Sequence, residues 1–127
     1  MSERVLICGS RDLAHIHFEY IVDCIKRIQR YYSIECIIQG GARGADYLGK
    51  QAAIKLNIPW EETEFKAEWD LFGKAAGHIR NTKMITEGKP TICLAFVNKP
   101  LEESRGTHNC VTQCKNVPIK CFVFMLD

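Results

Sequence analysis

Short apolar runs alternate along this chain with stretches in which apolar residues recur every three or four positions. "RVLIC" (Arg4 to Cys8) is continuous and β-prone, which predicts a buried strand. From Phe18 the apolar positions fall at Ile21, Val22, Ile25, Ile28 and Tyr32, the spacing of one helical face. "IECIIQ" (Ile34 to Gln39) predicts a second strand, and Ala45, Leu48, Ala52 and Leu56 mark the inner side of a second helix that stops before Pro59. "WEETEF" (Trp60 to Phe65) is more polar and reads as an edge strand. "AAGHIRNTKMI" (75–85) reads as a helix weakened by Gly77, and "TICLAFV" (Thr91 to Val97) as a further strand. "GTHNCVTQCK" (106–115) predicts a short helix, and "IKCFVFML" (Ile119 to Leu126) a last strand.

Five strands alternating with four helices predict an α/β, Rossmann-like three-layer fold: a mainly parallel five-stranded sheet of order 3-2-1-4-5, helices on both faces. A chain of 127 residues with 46% apolar content fits one domain spanning residues 1–127. In such a sheet the ligand crevice lies beyond the carboxyl ends of the strands where strand order reverses, here between the first and fourth predicted strands.

The unusual residues concentrate at that edge. "CGSRD" follows the first strand, "QGGARGAD" the second and "ESRGT" the fourth, and each holds glycine and arginine. Three of the seven arginines, Arg11, Arg43 and Arg105, occupy these loops, and Arg80 opens the polar part of the third helix. Glycine lets backbone N–H groups approach an anion, a following helix presents its positive end, and arginine offers a planar fork that matches phosphate. In this reading Gly40, Gly41 and Gly44 bring the backbone against a phosphate and Arg43 covers it. The alternative assigns Gly40 and Gly41 to a tight turn, Asp46 to the helix electrostatics, and Ser10 and Thr107 to simple caps. Neither GxxxxGK[ST] nor GxGxxG occurs, which disfavours a P-loop ATPase or an ordinary dinucleotide fingerprint.

Charge and cysteine usage narrow the partners. Seventeen basic against fifteen acidic residues give a formal charge of +2, too small for a sequence-independent nucleic-acid binder. No apolar stretch reaches membrane-span length and "MSERVLICGS" has no secretory pattern, so a cytoplasmic protein without membrane contact is expected. Seven cysteines in irregular spacing, four of them inside separate apolar runs, predict reduced core residues without a disulfide framework. "HNCVTQC" sets His108, Cys110 and Cys114 on one helical side. It lacks an accompanying CxxC pair, so no metal is expected. His15 and His17 read as surface residues at a helix start. "CFVFML" in a terminal edge strand predicts a homo-oligomer.

"ICGSRD", "IIQGGARGAD", "FKAEWDLFGKAAGHIRNTKM" and "SRGT" together resemble, in the same order, the motifs of the YspA-like branch of the SLOG superfamily. SLOG domains are Rossmann-like and related to the Lonely Guy enzymes and the DNA-processing protein A core. The resemblance implies binding of a nucleotide or nucleotide-derived ligand; no cofactor is expected. Its phosphate and ribose contacts carry over to Gly9, Ser10, Arg11, Gly40, Gly41, Arg43, Gly44, Asp46, Arg80, Asn81, Gly106 and Thr107, with Ser104 and Arg105 in the same motif. Trp69 also belongs to the family pattern, either against a base or packed under the loop.

One departure bears on chemistry. Lonely Guy enzymes carry "PGGxGTxxE", whose glutamate assists cleavage of the base–ribose bond, whereas this chain has "ESRGTHNC" with His108, Asn109 and Cys110 after Thr107. N-glycosidic cleavage builds positive charge on the sugar, which a carboxylate stabilises. The first expectation is therefore a domain that senses, carries or sequesters a nucleotide derivative. The alternative is a nucleotide hydrolase acting on an N-glycosidic or phosphate bond with Asp46 as base or stabiliser. A single-stranded nucleic-acid-binding module is the third.

Overall fold

The computed structural model describes residues 2–127. Strands and helices alternate along the chain: β1 (Ser2–Gly9), α1 (Phe18–Gln29), β2 (Ser33–Ile38), α2 (Ala45–Leu56), α3 (Trp69–Phe72), α4 (Ala76–Thr86), β3 (Ile92–Val97), α5 (Arg105–Asn116) and β4 (Lys120–Met125). The four strands form one parallel sheet in the order β2-β1-β3-β4.

Side-chain alternation along the strands builds the two interiors. Val5, Ile7, Ile37, Leu94 and Phe96 point to one face, where Ile21, Val22 and Ile25 of α1 and Leu48, Ala52 and Ala53 of α2 cover them. Leu6, Cys8, Ile38, Cys93 and Ala95 point to the other, against Met84 and Ile85 of α4 and Cys110, Val111 and Cys114 of α5. Each large side chain buried in these layers contributes about 1.5–3 kcal/mol. β4 differs. Phe122, Val123 and Met125 remain exposed, because β4 has a sheet neighbour on one side only.

The expected fifth strand is corrected. Trp60 to Phe65 lies along the outer edge of β2, but a 3₁₀ turn at Glu61–Thr63 interrupts it and a single parallel bridge, Gln39 to Glu64, survives. Glu61 and Glu62 have no reason to enter a ladder and stay exposed. The segment still satisfies the edge of β2: Ile37 N donates to Pro59 O at 2.9 Å, Gln39 N to Thr63 O at 3.1 Å, and Thr63 Oγ1 to Ile37 O at 2.6 Å. Removing that strand from the expected 3-2-1-4-5 leaves the observed order of the other four. Among the described residues no helix is long and apolar enough to cross a membrane.

Candidate functional site

The strand order reverses between β1 and β3, and a cleft of about 410 Å³ opens there, beyond their carboxyl ends. Gly9 at the end of β1, Ser10 and Arg11 after it, Arg43 and Asp46 before and within α2, and Ser104, Arg105, Gly106 and Thr107 at the start of α5 line it. Arg80 and Asn81 of α4 line it as well. Gly40, Gly41, Gly44 and Trp69 are not part of its wall.

Those three glycines serve the loop's own packing. Gly44 has φ +79° and lies so close to the Ser10–Arg11 backbone that a Cβ would overlap it, which lets Ala45 N donate to Ser10 O at 3.1 Å. The space beside Gly40 is filled by the Arg80 guanidinium, whose Nη1 donates to Gly40 O at 2.6 Å. Gly41 is exposed, and its N–H donates to Gln39 Oε1 at 2.6 Å. The glycine-rich turn thus shapes one side of the cleft from behind. It does not present these glycines to the opening.

Buried polar side chains tie the three loops together. Ser10 Oγ accepts from Asn98 N at 3.1 Å while Ser10 N donates to Phe96 O at 2.9 Å, locking the ends of β1 and β3. Asn81 donates through Nδ2 to Gly106 O at 3.2 Å and to Asn109 Oδ1 at 3.0 Å, fixing the first turn of α5 against α4. Arg80 Nε donates to Asn81 Oδ1 at 2.9 Å, so two of its donor nitrogens are spent inside the protein. Arg80 and Asn81 hold the frame as well as bordering the cleft.

Asp46 is the buried carboxylate of the site. Its Oδ2 accepts from Gly40 N and Ala42 N, both at 3.2 Å. Burial pushes the carboxyl up to about 6, against the opposing pull of the Arg80 guanidinium and these two N–H groups. A group poised there can exchange a proton near neutral pH.

The two helix N-termini that face this region differ. The first turn of α2 carries Asp46, which offsets its positive end, whereas the first turn of α5 has no acidic residue and its N-cap Ser104 makes no side-chain capping bond. Ser104 Oγ is buried without a hydrogen-bond partner on the cleft wall. The wall carries five basic side chains, Arg11, Arg43, Arg80, Lys99 and Arg105, against three acidic ones, Asp12, Asp46 and Glu103. The cleft is therefore a local positive site in a nearly neutral molecule. Trp69 stands at its margin, exposed, with the Arg11 guanidinium 5.6 Å from the ring centroid.

Lys99 and Asn109 were absent from the expected set. Lys99 lies two residues after the end of β3, so its place at a strand's carboxyl end was available as a signal. Asn109 holds Asn81 from one helical turn within α5, a pairing across helices that no local spacing announces.

No family model matches the chain, and no solved structure matches it. The Gene 61 protein of Mycobacterium phage D29 is 33% identical over 129 residues, a match covering 95% of this chain and 95% of that protein. At that identity over nearly the full length of both, the chain belongs to the family of the Gene 61 protein of Mycobacterium phage D29.

Proposed function

We propose that this protein binds a nucleotide or nucleotide-derived ligand in the cleft between β1 and β3, sensing, carrying or sequestering it, as a SLOG-type domain. The observation that carries the reading is the open N-terminus of α5: the first-turn N–H groups of Arg105 to Thr107 and the unpartnered Ser104 hydroxyl come to a wall with five basic side chains. A phosphate group satisfies all of these at once. The Arg11 and Trp69 pair at the margin supplies a flat cation and an aromatic face of the kind on which a base stacks.

A second reading, a nucleotide hydrolase, is favoured by one feature, the buried Asp46 with its carboxyl near 6. Both N–H groups bound to its Oδ2 belong to the loop it anchors, no carboxylate follows Thr107 in the helix turn, and the other wall carboxylates, Asp12 and Glu103, are exposed, with Asp12 3.9 Å from Lys99 Nζ. The binding reading is therefore preferred. A single-stranded nucleic-acid module ranks below both, since the formal charge of the chain is only +2. Self-association through the exposed apolar edge of β4 is proposed alongside, on the strength of Phe122, Val123 and Met125.

The test is mass spectrometry of small molecules released from the freshly purified protein, followed by calorimetric titration with the one identified. A stoichiometric nucleotide-class compound is expected, and adenosine monophosphate incubated with the protein should release no free base. Steady base release that Asp46→Asn abolishes would replace the binding reading with the hydrolase.

A further inference from the structure

The face of the sheet beneath α5 gathers sulfur from three separate elements. Cys93 in β3 and Cys121 in β4 are direct partners in the parallel register, which puts them side by side on one sheet surface. Cys114, on the buried side of α5, comes down onto that pair. The three Sγ atoms all lie within 4.8 Å of one another, and all three cysteines are free. Cys93 and Cys114 are fully enclosed, whereas Cys121 is only partly buried and leaves an approach from the β4 edge.

We infer that Cys93, Cys114 and Cys121 form a trithiolate site for a soft, thiophilic metal ion of the copper(I) class, behind the wall that Cys8 and Cys110 give the nucleotide cleft. Three sulfurs about 2.3 Å from a central ion stand about 4 Å apart when the ion lies in their plane, so the observed cluster needs only a small closure. Thiolate sulfur selects copper(I), zinc or cadmium over harder cations. Among the described residues these three cysteines lie within mutual ligand distance without histidine or carboxylate, with Cys8 Sγ, 3.8 Å from Cys93 Sγ, as the next sulfur out; three sulfurs suit a copper(I)-class ion, whereas zinc would have to draw in a fourth. Binding exchanges three S–H bonds for three metal–sulfur bonds and releases three protons to solvent, with no change of oxidation state.

The segment "HNCVTQC" gave no such expectation. His108 is exposed, and Cys110 faces the nucleotide cleft. Only Cys114 of that segment joins the trio, and its partners come from strands distant in sequence.

Anaerobic titration of the chelator-washed, reduced full chain tests the site. Cadmium(II) is the spectroscopic probe, through the ultraviolet thiolate-to-cadmium charge-transfer band, and copper(I) is added in competition with a chromophoric chelator. The band should saturate at one equivalent per chain with about three protons released. Cys121→Ser and Cys121→Ala, at the least buried of the three positions, should both lose the saturable band while circular dichroism stays native. Cys24→Ser, on the opposite face of the sheet, should keep it. Absence of a saturable band, its survival in either Cys121 variant, or its loss in Cys24→Ser would overturn the assignment. A native circular dichroism spectrum throughout the wild-type titration is also required, since binding that accompanies unfolding would show the thiols meeting the metal outside this site.

Discussion

At the scale of single residues, the cleft contrasts positions that face the ligand space with positions that hold its wall. A Cβ at Gly106 meets no heavy atom within 4 Å, so Gly106→Asp keeps the fold while placing a carboxylate at the open end of α5. Nucleotide affinity should fall by more than about 100-fold in calorimetric titration. Arg80→Ala should lower affinity by about 10- to 150-fold, the effect of losing charge-assisted hydrogen bonds, and should also lower the melting temperature because Gly40 O loses its donor. Arg27→Ala, on α1 away from the cleft, is the control. Unchanged affinity in both cleft variants would place the ligand site elsewhere. Asp46 gives a pH signature. Its folded carboxyl near 6 stands above the ordinary carboxyl of the unfolded chain, so the native state holds the extra proton and loses stability as pH rises through about 4 to 6. That separation corresponds to about 3 kcal/mol at neutral pH. Asp46→Asn should therefore melt higher than the wild type at pH 7.5, with the difference vanishing or reversing at pH 5, where the wild-type carboxyl is protonated. A difference independent of pH would mean that Asp46 does not carry this burial cost.

At the scale of elements, the site depends on how closely β1 and β3 approach at their carboxyl ends. Gly9 has φ +154° and pairs with Phe96, and a Cβ there would run into the Phe96 carbonyl and the Ala45 side chain together. Backbone of a neighbouring strand cannot give way as a flexible side chain can. Gly9→Ala should cost about 3 kcal/mol or more in chemical denaturation, whereas Gly106→Ala should fall within about 1 kcal/mol of the wild type. Equal stability of the two variants would show that this strand junction tolerates opening. After α2, Pro59 to Phe65 caps the edge of β2 by scattered hydrogen bonds, leaving β4 as the edge with large exposed apolar side chains.

At the scale of the whole molecule, that asymmetry bears on association. Light scattering should find a dimer or larger species, and Val123→Lys, which puts a charge on the exposed edge strand, should shift it toward monomer. A wild-type chain that stays monomeric at all concentrations would remove the proposal. The alternating fold, the relative order of four strands and the gathering of Arg11, Arg43 and Arg105 around one crevice were legible in the sequence, because strand and helix periods and strand-end loops are local signals. The fifth strand was not, since "WEETEF" carries β-prone residues whose pairing depends on whether the edge of β2 accepts a ladder or single bonds. The sequence by itself thus determined the layers and the edge at which charge collects. Tertiary structure alone decided which glycines face the opening, that Arg80 turns inward onto Gly40, and that Cys93, Cys114 and Cys121 meet, because each depends on contacts between residues far apart in the chain.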